Sequence, residues 1–251
     1  MTIPEGEERP LLSVIMPIFN EEGTLEEILD RVEAVPLDKE IVLVDDGSSD
    51  RSLEIAEGRT GARIRLIRHS HNTGKAGALA TGFREARGRI VIIQDADLEY
   101  DPAEFPAVIA PIVAGEADVV FGSRFQGHDR KIHLLLHYVA NRALTLLSNI
   151  CTNLNLTDME CCYKAFRREV LQAIEIQAER FAVEPELTQK VAKMKLRIAE
   201  VPVSYQGRQY SEGKKIGFAD ALEAVWAILR FKLFWSPPRD FVLPSWNRAP
   251  E

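Results

Sequence analysis

The sequence predicts an α/β fold: a mostly parallel sheet flanked by helices. Three observations carry that reading. Short apolar runs rich in β-branched residues alternate with amphipathic helical patterns through the first hundred residues. Each run ends in a polar loop, as strands do when a βαβ unit turns into its helix. The chain has 251 residues, 46% of them hydrophobic and 27% charged, which is enough to bury one large core.

Met1 to Pro10 is polar and acidic, unlike a signal peptide, and reads as a disordered tail. Leu11 to Met16 is the first strand, closed by Pro17. Leu25, Ile28, Leu29 and Val32 at helical spacing predict a helix over Asn20 to Val35. Glu40 to Val44 is the second strand, and Ser52 to Glu57 starts a helix. Ile64 to Arg68 is the third strand, Ala76 to Ala86 a helix of small residues, and Arg89 to Ile93 the fourth strand. Asp118 to Gly122 adds another strand. His133 to Ile150 is apolar but interrupted by His137, Asn141 and Arg142, so an amphipathic helix fits better than a transmembrane span of about eighteen apolar residues. Phe218 to Trp235 combines aromatic and aliphatic residues with flanking Lys214, Lys215, Arg230 and Lys232. That is the composition of an interfacial helix, with packing on the core as the alternative. The folded domain is expected over 11–235, with 236–251 a second tail.

The net charge of -7 argues against nucleic-acid binding. The balance is uneven: Gln189 to Lys232 holds nine Lys or Arg against four Asp or Glu. That region suits an anionic partner, either phosphate or a membrane surface, or is a solvated basic face. The three cysteines, Cys151, Cys161 and Cys162, include an adjacent pair unsuited to a mutual disulfide, which points to a reducing compartment. His133 and His137 have metal-pair spacing but no acidic third ligand nearby.

Asp95-Ala96-Asp97 follows Ile90-Val91-Ile92-Ile93 and Gln94 directly. Two carboxylates one residue apart at a strand end repel each other unless a cation sits beside them. Hard divalent cations with oxygen ligands meet that need, and parallel sheets bind ligands beyond the carboxyl ends of their strands. A surface turn is the alternative for these residues taken alone. Three more polar loops leave the same predicted edge: Pro17 to Glu21, Asp45 to Asp50, and Asn72-Thr73-Gly74-Lys75. Gly74 allows close backbone approach to a ligand, and Lys75 brings a point charge for phosphate. This is not a P-loop, since Gly-x4-Gly-Lys-Ser/Thr is absent, and no Gly-x-Gly-x-x-Gly follows the first strand, which disfavours a dinucleotide-binding Rossmann domain.

Five motifs together resemble family 2 glycosyltransferases of GT-A fold. They are Ser13 to Glu22, Val44 to Asp50, Asn72 to Leu79, Asp95 to Pro102, and Gly122-Ser123-Arg124-Phe125. The dolichyl-phosphate mannose synthase branch is the most similar, and the resemblance covers Leu11 to Phe234. It implies that Pro17, Phe19 and Glu21 line the nucleotide pocket, with Phe19 standing where relatives usually have Tyr. It implies that Val44 and Asp46 hold the base and ribose, and that Asp95, Ala96 and Asp97 bind nucleotide and metal. Asp97 would be the direct ligand of Mg2+ or Mn2+, with Asp95 and Glu99 contributing; Glu99 replaces the Gln common in mannose synthases. Arg124 would meet the acceptor phosphate or the diphosphate.

Two downstream segments extend the resemblance. Leu156 to Phe166 is similar to the family's acidic segment, making Asp158 a candidate general base or acceptor-positioning carboxylate. Arg208 to Lys215 resembles the loop that closes over the donor; Arg208 and either Lys214 or Lys215 would stabilise the leaving diphosphate. The implied activity is metal-dependent, inverting transfer of a hexose, mannose or glucose, from a GDP- or UDP-sugar to a polyprenyl phosphate. The protein would lie on the cytoplasmic face of a membrane. The rival readings are a soluble or cell-wall glycan acceptor, a sugar nucleotidyltransferase, and a non-catalytic nucleotide-sugar-binding module.

Overall fold

The structure is a computed structural model that describes residues 9–126, 135–178, 182–207 and 218–245. Seven strands form one sheet among these residues, in the order β3-β2-β1-β4-β6-β5-β7. They are β1 (Leu12–Ile18), β2 (Lys39–Asp45), β3 (Ile64–Arg68), β4 (Ile90–Ile93), β5 (Val119–Ser123), β6 (Lys164–Arg167) and β7 (Ile198–Pro202). The helices are α1 (Leu25–Ala34), α2 (Ser52–Gly58), α3 (Gly74–Glu85), α4 (Phe105–Val113), α5 (Leu135–Thr152), α6 (Arg168–Gln172), α7 (Val183–Lys193) and α8 (Phe218–Phe234). Every strand pair is parallel except those of β6, which runs antiparallel to both β4 and β5.

The central strands are apolar along their whole length because both faces are covered. Val14, Met16, Leu43, Ile90 and Ile92 pack with α1 and α4 on one face. Ile15, Val42, Val44, Val91 and Ile93 pack with α3, α6 and α7 on the other. Each such aliphatic side chain removed from water contributes roughly 1.5–3 kcal/mol. On the second face α3 comes close: a Cβ on Gly82 would lie 2.2 Å from Ile15 Cγ2.

The five strands read from the sequence are all present, with shifts of a residue or two. The first does not stop at Pro17 but continues to Ile18. The Ile15 carbonyl accepts from Gln94 and the Ile18 carbonyl from Asp46, so alternation turns Pro17 toward the β4 side. The β4 ladder has already ended there at Ile93, and the missing N–H of proline leaves no bond unmade. The first helix starts at Leu25 rather than Asn20, because the preceding residues bind the loop after β2. Asn20 is left-handed at φ 56°. The Glu21 N–H donates to Ser52 Oγ at 2.8 Å and that of Glu22 to Asp50 Oδ2 at 3.1 Å.

Strands β6 and β7 and helices α4, α6 and α7 were not legible as elements. In β6 a Lys-Ala-Phe-Arg run reads as polar, yet Lys164 and Arg167 are both buried. Their charges are met by Glu184 and by Asp118 respectively. Helix α7 carries Glu184, Glu186 and Lys190 and is nonetheless buried almost throughout, beneath α5 and α8.

The basic C-terminal third is partly consumed inside the fold. Lys190 is wholly buried, 2.5 Å from Glu186, with its ammonium over the Phe231 and Trp235 rings. Arg197 pairs with Asp118 at 2.7 Å. Arg208, Lys214, Lys215 and His133 lie outside the described residues. All three cysteines are free thiols. Among the described residues no helix is long and apolar enough to cross a membrane.

Candidate active site

Chain order reverses direction across the sheet between β1 and β4, since β2 and β3 lie to one side of β1 and β4 to the other. A crevice beyond the carboxyl ends of the strands opens at such a switch point. The loops after β1, β2 and β4 all reach it. Asn20 Oδ1 accepts the Ser49 N–H at 2.8 Å, joining the first two loops. The Ala96 carbonyl accepts from Thr24 Oγ1 at 3.0 Å, joining the first to the third. Gly47, at φ 77°, lets the β2 loop lie against His71 and Asn72; a Cβ there would sit 3.1 Å from the Asn72 nitrogen.

Asp46 is an internal clamp. It is 2% exposed, and its oxygens accept from the Thr73 and Gly74 N–H groups, from Thr73 Oγ1 and from His69. Its negative charge faces the N-terminal end of α3, a favourable alignment with the helix dipole. In this geometry Asp46 anchors the Asn72–Lys75 loop. The Val44 side chain is wholly buried in the core. In the loop after β1, Pro17 and Glu21 are partly buried, and Phe19 is 44% exposed.

The Asp95 carboxylate holds Lys75, at 2.7 Å from its Nζ. Cys162 Sγ lies 3.2 Å and Glu184 Oε1 3.9 Å from the same nitrogen. Burial opposes the Lys75 charge, but Asp95, Cys162 and Glu184 outweigh it and hold the ammonium well above its ordinary pKa. Lys75 is thus neutralised by carboxylate rather than offered singly to phosphate, and Asp95 is matched to a cation already. The backbone of Ala96 is fixed by Thr24, and its side chain is buried.

Asp97 and Glu99 follow on the same loop. Asp97 Oδ1 accepts the Glu99 N–H at 3.1 Å. Glu99 Oε2 accepts from the Tyr205 hydroxyl at 2.9 Å, and its carbonyl from the Gln206 N–H at 2.8 Å. No group of three His, Cys, Asp or Glu suited to a metal is found among the described residues. A magnesium-like cation does not require one, because it is commonly held by one or two carboxylates plus substrate phosphates and water. Asp97 and Glu99 are hard oxygen donors of that kind, so the residues present fit Mg2+ or Mn2+.

Arg124, at the end of β5, and Asp158 form the opposite wall. Asp158 is wholly buried and takes Arg124 Nε at 2.6 Å, Nη2 at 2.8 Å and the Asn141 amide at 3.1 Å. Burial raises its pKa, but Arg124 and these hydrogen bonds bring the net shift below the usual carboxylate range. A carboxylate so held is a poor proton acceptor. Of the two roles expected for Asp158, this geometry favours positioning. Tyr205 stacks under the guanidinium, its ring centre 5.0 Å from Arg124 Cζ, so one tyrosine touches both Arg124 and Glu99.

Four residues of this site were not assigned a role by sequence. Glu200 on β7 accepts the Thr157 and Asp158 N–H groups at 2.8 and 3.1 Å and sets the loop that carries Asp158. Tyr205 links the two walls. Glu160 and Glu184 each keep a buried Oε1 with no hydrogen-bond partner. Glu160 stood inside a quoted motif without a role. Glu184 had no local signal, because an acid in the first turn of a helix ordinarily faces water.

The sequence pattern of glycosyl transferase family 2 matches residues 13–175. Curated relatives include a dodecaprenyl-phosphate galacturonate synthase of Rhizobium johnstonii, 30% identical over 81% of this chain and 61% of its own length. An undecaprenyl-phosphate 4-deoxy-4-formamido-L-arabinose transferase of Edwardsiella ictaluri is 34% identical over 81% of this chain and 62% of its own. The low-salt glycan biosynthesis hexosyltransferase Agl6 of Haloferax volcanii is 29% identical over 95% of this chain and 57% of its own. The chain therefore spans about three fifths of the length of these relatives. Among solved structures, glucosyl-3-phosphoglycerate synthase from Mycobacterium tuberculosis, in complex with Mn2+, UDP and phosphoglyceric acid, superposes with a TM-score of 0.69. At 21% identity, covering 92% of this chain and 80% of that one, it establishes the shared GT-A fold. By the family match and by that fold, the chain belongs to glycosyl transferase family 2.

Proposed function

We propose that the protein transfers a hexose from a nucleotide diphosphate sugar to a polyprenyl phosphate, with inversion at the anomeric carbon and with Mg2+ or Mn2+. One observation carries the reading. The Asp97–Glu99 carboxylates and the Arg124–Asp158 pair face one crevice and are joined through Tyr205. Carboxylates that would hold a divalent cation thus lie beside a guanidinium suited to a second phosphate. The polyprenyl-phosphate acceptors named for two relatives support the same reading.

In the displacement, an acceptor phosphate oxygen attacks the anomeric carbon as the bond to the donor diphosphate breaks, and the electron pair leaves on the diphosphate. Asp97 and Glu99 would hold the cation, which when bound neutralises the diphosphate as it departs. Arg124 binds the acceptor phosphate, and Asp158 fixes its guanidinium. An ionised phosphate acceptor needs no proton removed, which agrees with a carboxylate already committed to arginine. Arg208 with Lys214 or Lys215 supplies further positive charge to the leaving group.

A lipid acceptor also accounts for the surface. Helix α8 packs against α5 and α7, and large apolar residues project outward from both outer helices. Leu135, Leu136, Val139, Leu146 and Ile150 of α5 are 53–81% exposed. Leu222, Trp226, Leu229, Leu233 and Phe234 of α8 are 38–76% exposed. Such a patch on a family 2 transferase suits peripheral contact with a membrane, here its cytoplasmic face. The deciding experiment incubates the protein with Mg2+ or Mn2+, GDP- and UDP-hexoses and polyprenyl phosphate, and reads glycolipid by mass. Product from the wild type and none from Asp97→Ala is the expected result. No glycolipid from any donor, with Asp97→Ala behaving like wild type, would remove the proposal.

A further inference from the structure

Val203 to Gly207 leave the end of β7 and cross the acidic loop that follows β4, and several contacts fix their path. The Val203 N–H donates to the Ser123 carbonyl at 3.0 Å, beside Arg124 in the chain. The Ser204 N–H and hydroxyl both donate to Glu104, the hydroxyl at 2.6 Å. The Gln206 N–H donates to the Glu99 carbonyl at 2.8 Å. Between them the Tyr205 ring is buried, 5.3 Å from the Tyr100 ring. Tyr205 therefore reaches both walls of the crevice from a rigid mount, and with different atoms. Its hydroxyl donates to Glu99 Oε2 at 2.9 Å, and the Glu99 N–H in turn donates to Asp97 Oδ1 at 3.1 Å. Its ring centre lies 5.0 Å from Arg124 Cζ, within the reach of a cation–π contact. Gly207 keeps that ring in place: a Cβ there would sit 2.8 Å from Tyr205 Cε1 and 3.2 Å from its hydroxyl oxygen.

We propose that Tyr205 is a positioning residue for both halves of the site: its hydroxyl sets Glu99, and through it Asp97, for the divalent cation, while its ring sets Arg124 for the acceptor phosphate. The inference rests on the transferase reading, which assigns the cation to Asp97 and Glu99 and a phosphate to Arg124. A glutamate side chain has many rotamers, and ordering it on cation binding opposes that binding. A hydroxyl that already holds the carboxylate removes part of this cost, as partners of metal ligands commonly do. The planar ring likewise restricts a guanidinium that Asp158 grips from its other side.

The test measures calorimetric affinity of the full chain for UDP and for GDP, with Mn2+ and without a divalent cation. The fold-gain that the cation brings is the readout. Tyr205→Phe keeps the ring and loses the hydroxyl. It should cut that gain by about tenfold, the low end for losing a partner of a metal ligand, with the cation-free affinity unchanged. In a Glu99→Ala background the same change should cut the gain no further, because the hydroxyl acts through Glu99. Affinity for a water-soluble, short-chain prenyl phosphate should hold in Tyr205→Phe and fall several-fold in Tyr205→Leu, which removes the ring. Gly207→Ala, at an exposed position, pushes the ring aside and should lower both the cation gain and the prenyl phosphate affinity. It decides the ring's role if Tyr205→Leu fails to fold. An unchanged cation gain in Tyr205→Phe, or a loss that persists in full beside Glu99→Ala, overturns the hydroxyl's role. Prenyl phosphate affinity untouched by displacing or removing the ring overturns the other. A wild type whose nucleotide affinity gains nothing from Mn2+ would defeat the metal reading together with the inference. One that gains from Mn2+ but binds no prenyl phosphate would defeat the acceptor assignment and the ring's role with it, and not the hydroxyl's.

Discussion

Arg124 and Asp158 meet through two side-chain hydrogen bonds, 2.6 Å from Nε to Oδ2 and 2.8 Å from Nη2 to Oδ1, with Asp158 wholly buried. Removing one member leaves the other charge unmatched. Asp158→Ala should cost about 3–5 kcal/mol, the range for stranding a buried charge. Asp158→Asn, which keeps an acceptor, should cost less. Because the folded pKa of Asp158 is depressed, the stability it contributes is present above its ordinary value and is lost as pH falls through the lowered one. Urea unfolding of the variants across acidic pH measures both effects. An Asp158→Ala protein as stable as wild type would show that the pair is not structural.

Glu160 behaves oppositely. Burial, and then Glu184, push its carboxyl up to about 7, against the opposing pull of Lys164 and Arg124. Its folded pKa exceeds the ordinary glutamate value, so the folded state keeps a proton that the unfolded chain has released. The protein should lose stability as pH rises from about 4.5 to about 7, then level off. Glu160→Gln removes the titration and should be more stable than wild type by about 1–3 kcal/mol at pH above 7. Melting temperatures of the two proteins that fall in parallel over that window would count against it.

Asp97→Ala should lower transfer by about 10²–10³-fold, the scale for deleting one electrostatic stabiliser. Stability should change by no more than about 1 kcal/mol. A chelator should reproduce the loss in the wild type, and added Mn2+ should restore it. Full activity in the presence of chelator would exclude the metal role of Asp97 and Glu99.

Trp226 and Leu233 are 60% and 69% exposed, so replacing both with Asp removes little burial from the fold. Stability should stay within about 0.5 kcal/mol per site. If the α5–α8 face rests on lipid, each loss of about 1.5–3 kcal/mol of apolar burial should together weaken cosedimentation with liposomes at least about tenfold. Unchanged liposome binding would assign that face to something other than a membrane.

Gly82→Ala sets two effects of opposite sign against each other. Alanine is the better helix former by about 1 kcal/mol. The added methyl would nevertheless fall 2.2 Å from Ile15 Cγ2, and overpacking a filled core costs about 1–3 kcal/mol. Packing should win, giving net destabilisation in urea titrations, and a stabilised variant would refute the close approach of α3 to β1.

The loops at the strand ends were legible because their cause is local. Apolar β-branched runs end abruptly at Pro17, Asp45 and Asp95, and polar residues at those points have few uses other than turns or ligands. The partners within the site were not legible, because each is set by residues distant in the chain. Lys75 meets Asp95 and Glu184, and Asp158 is set by Glu200 from β7. Strand β6 escaped for a related reason: Lys164 and Arg167 look solvated until Glu184 and Asp118 arrive to neutralise them.

From the chain alone came the α/β class, the crevice-forming loops, the family and the Asp95–Asp97 region as the centre of interest. Periodicity and turn chemistry act over a few residues, and five short motifs together are specific. The folded protein alone decided what each charge does. It turned Asp46 into a clamp and Asp158 into the partner of an arginine, and it left Glu160 and Glu184 with an unpartnered oxygen each. A carboxylate's role follows from its desolvation and from the cation beside it, and both are properties of three-dimensional packing.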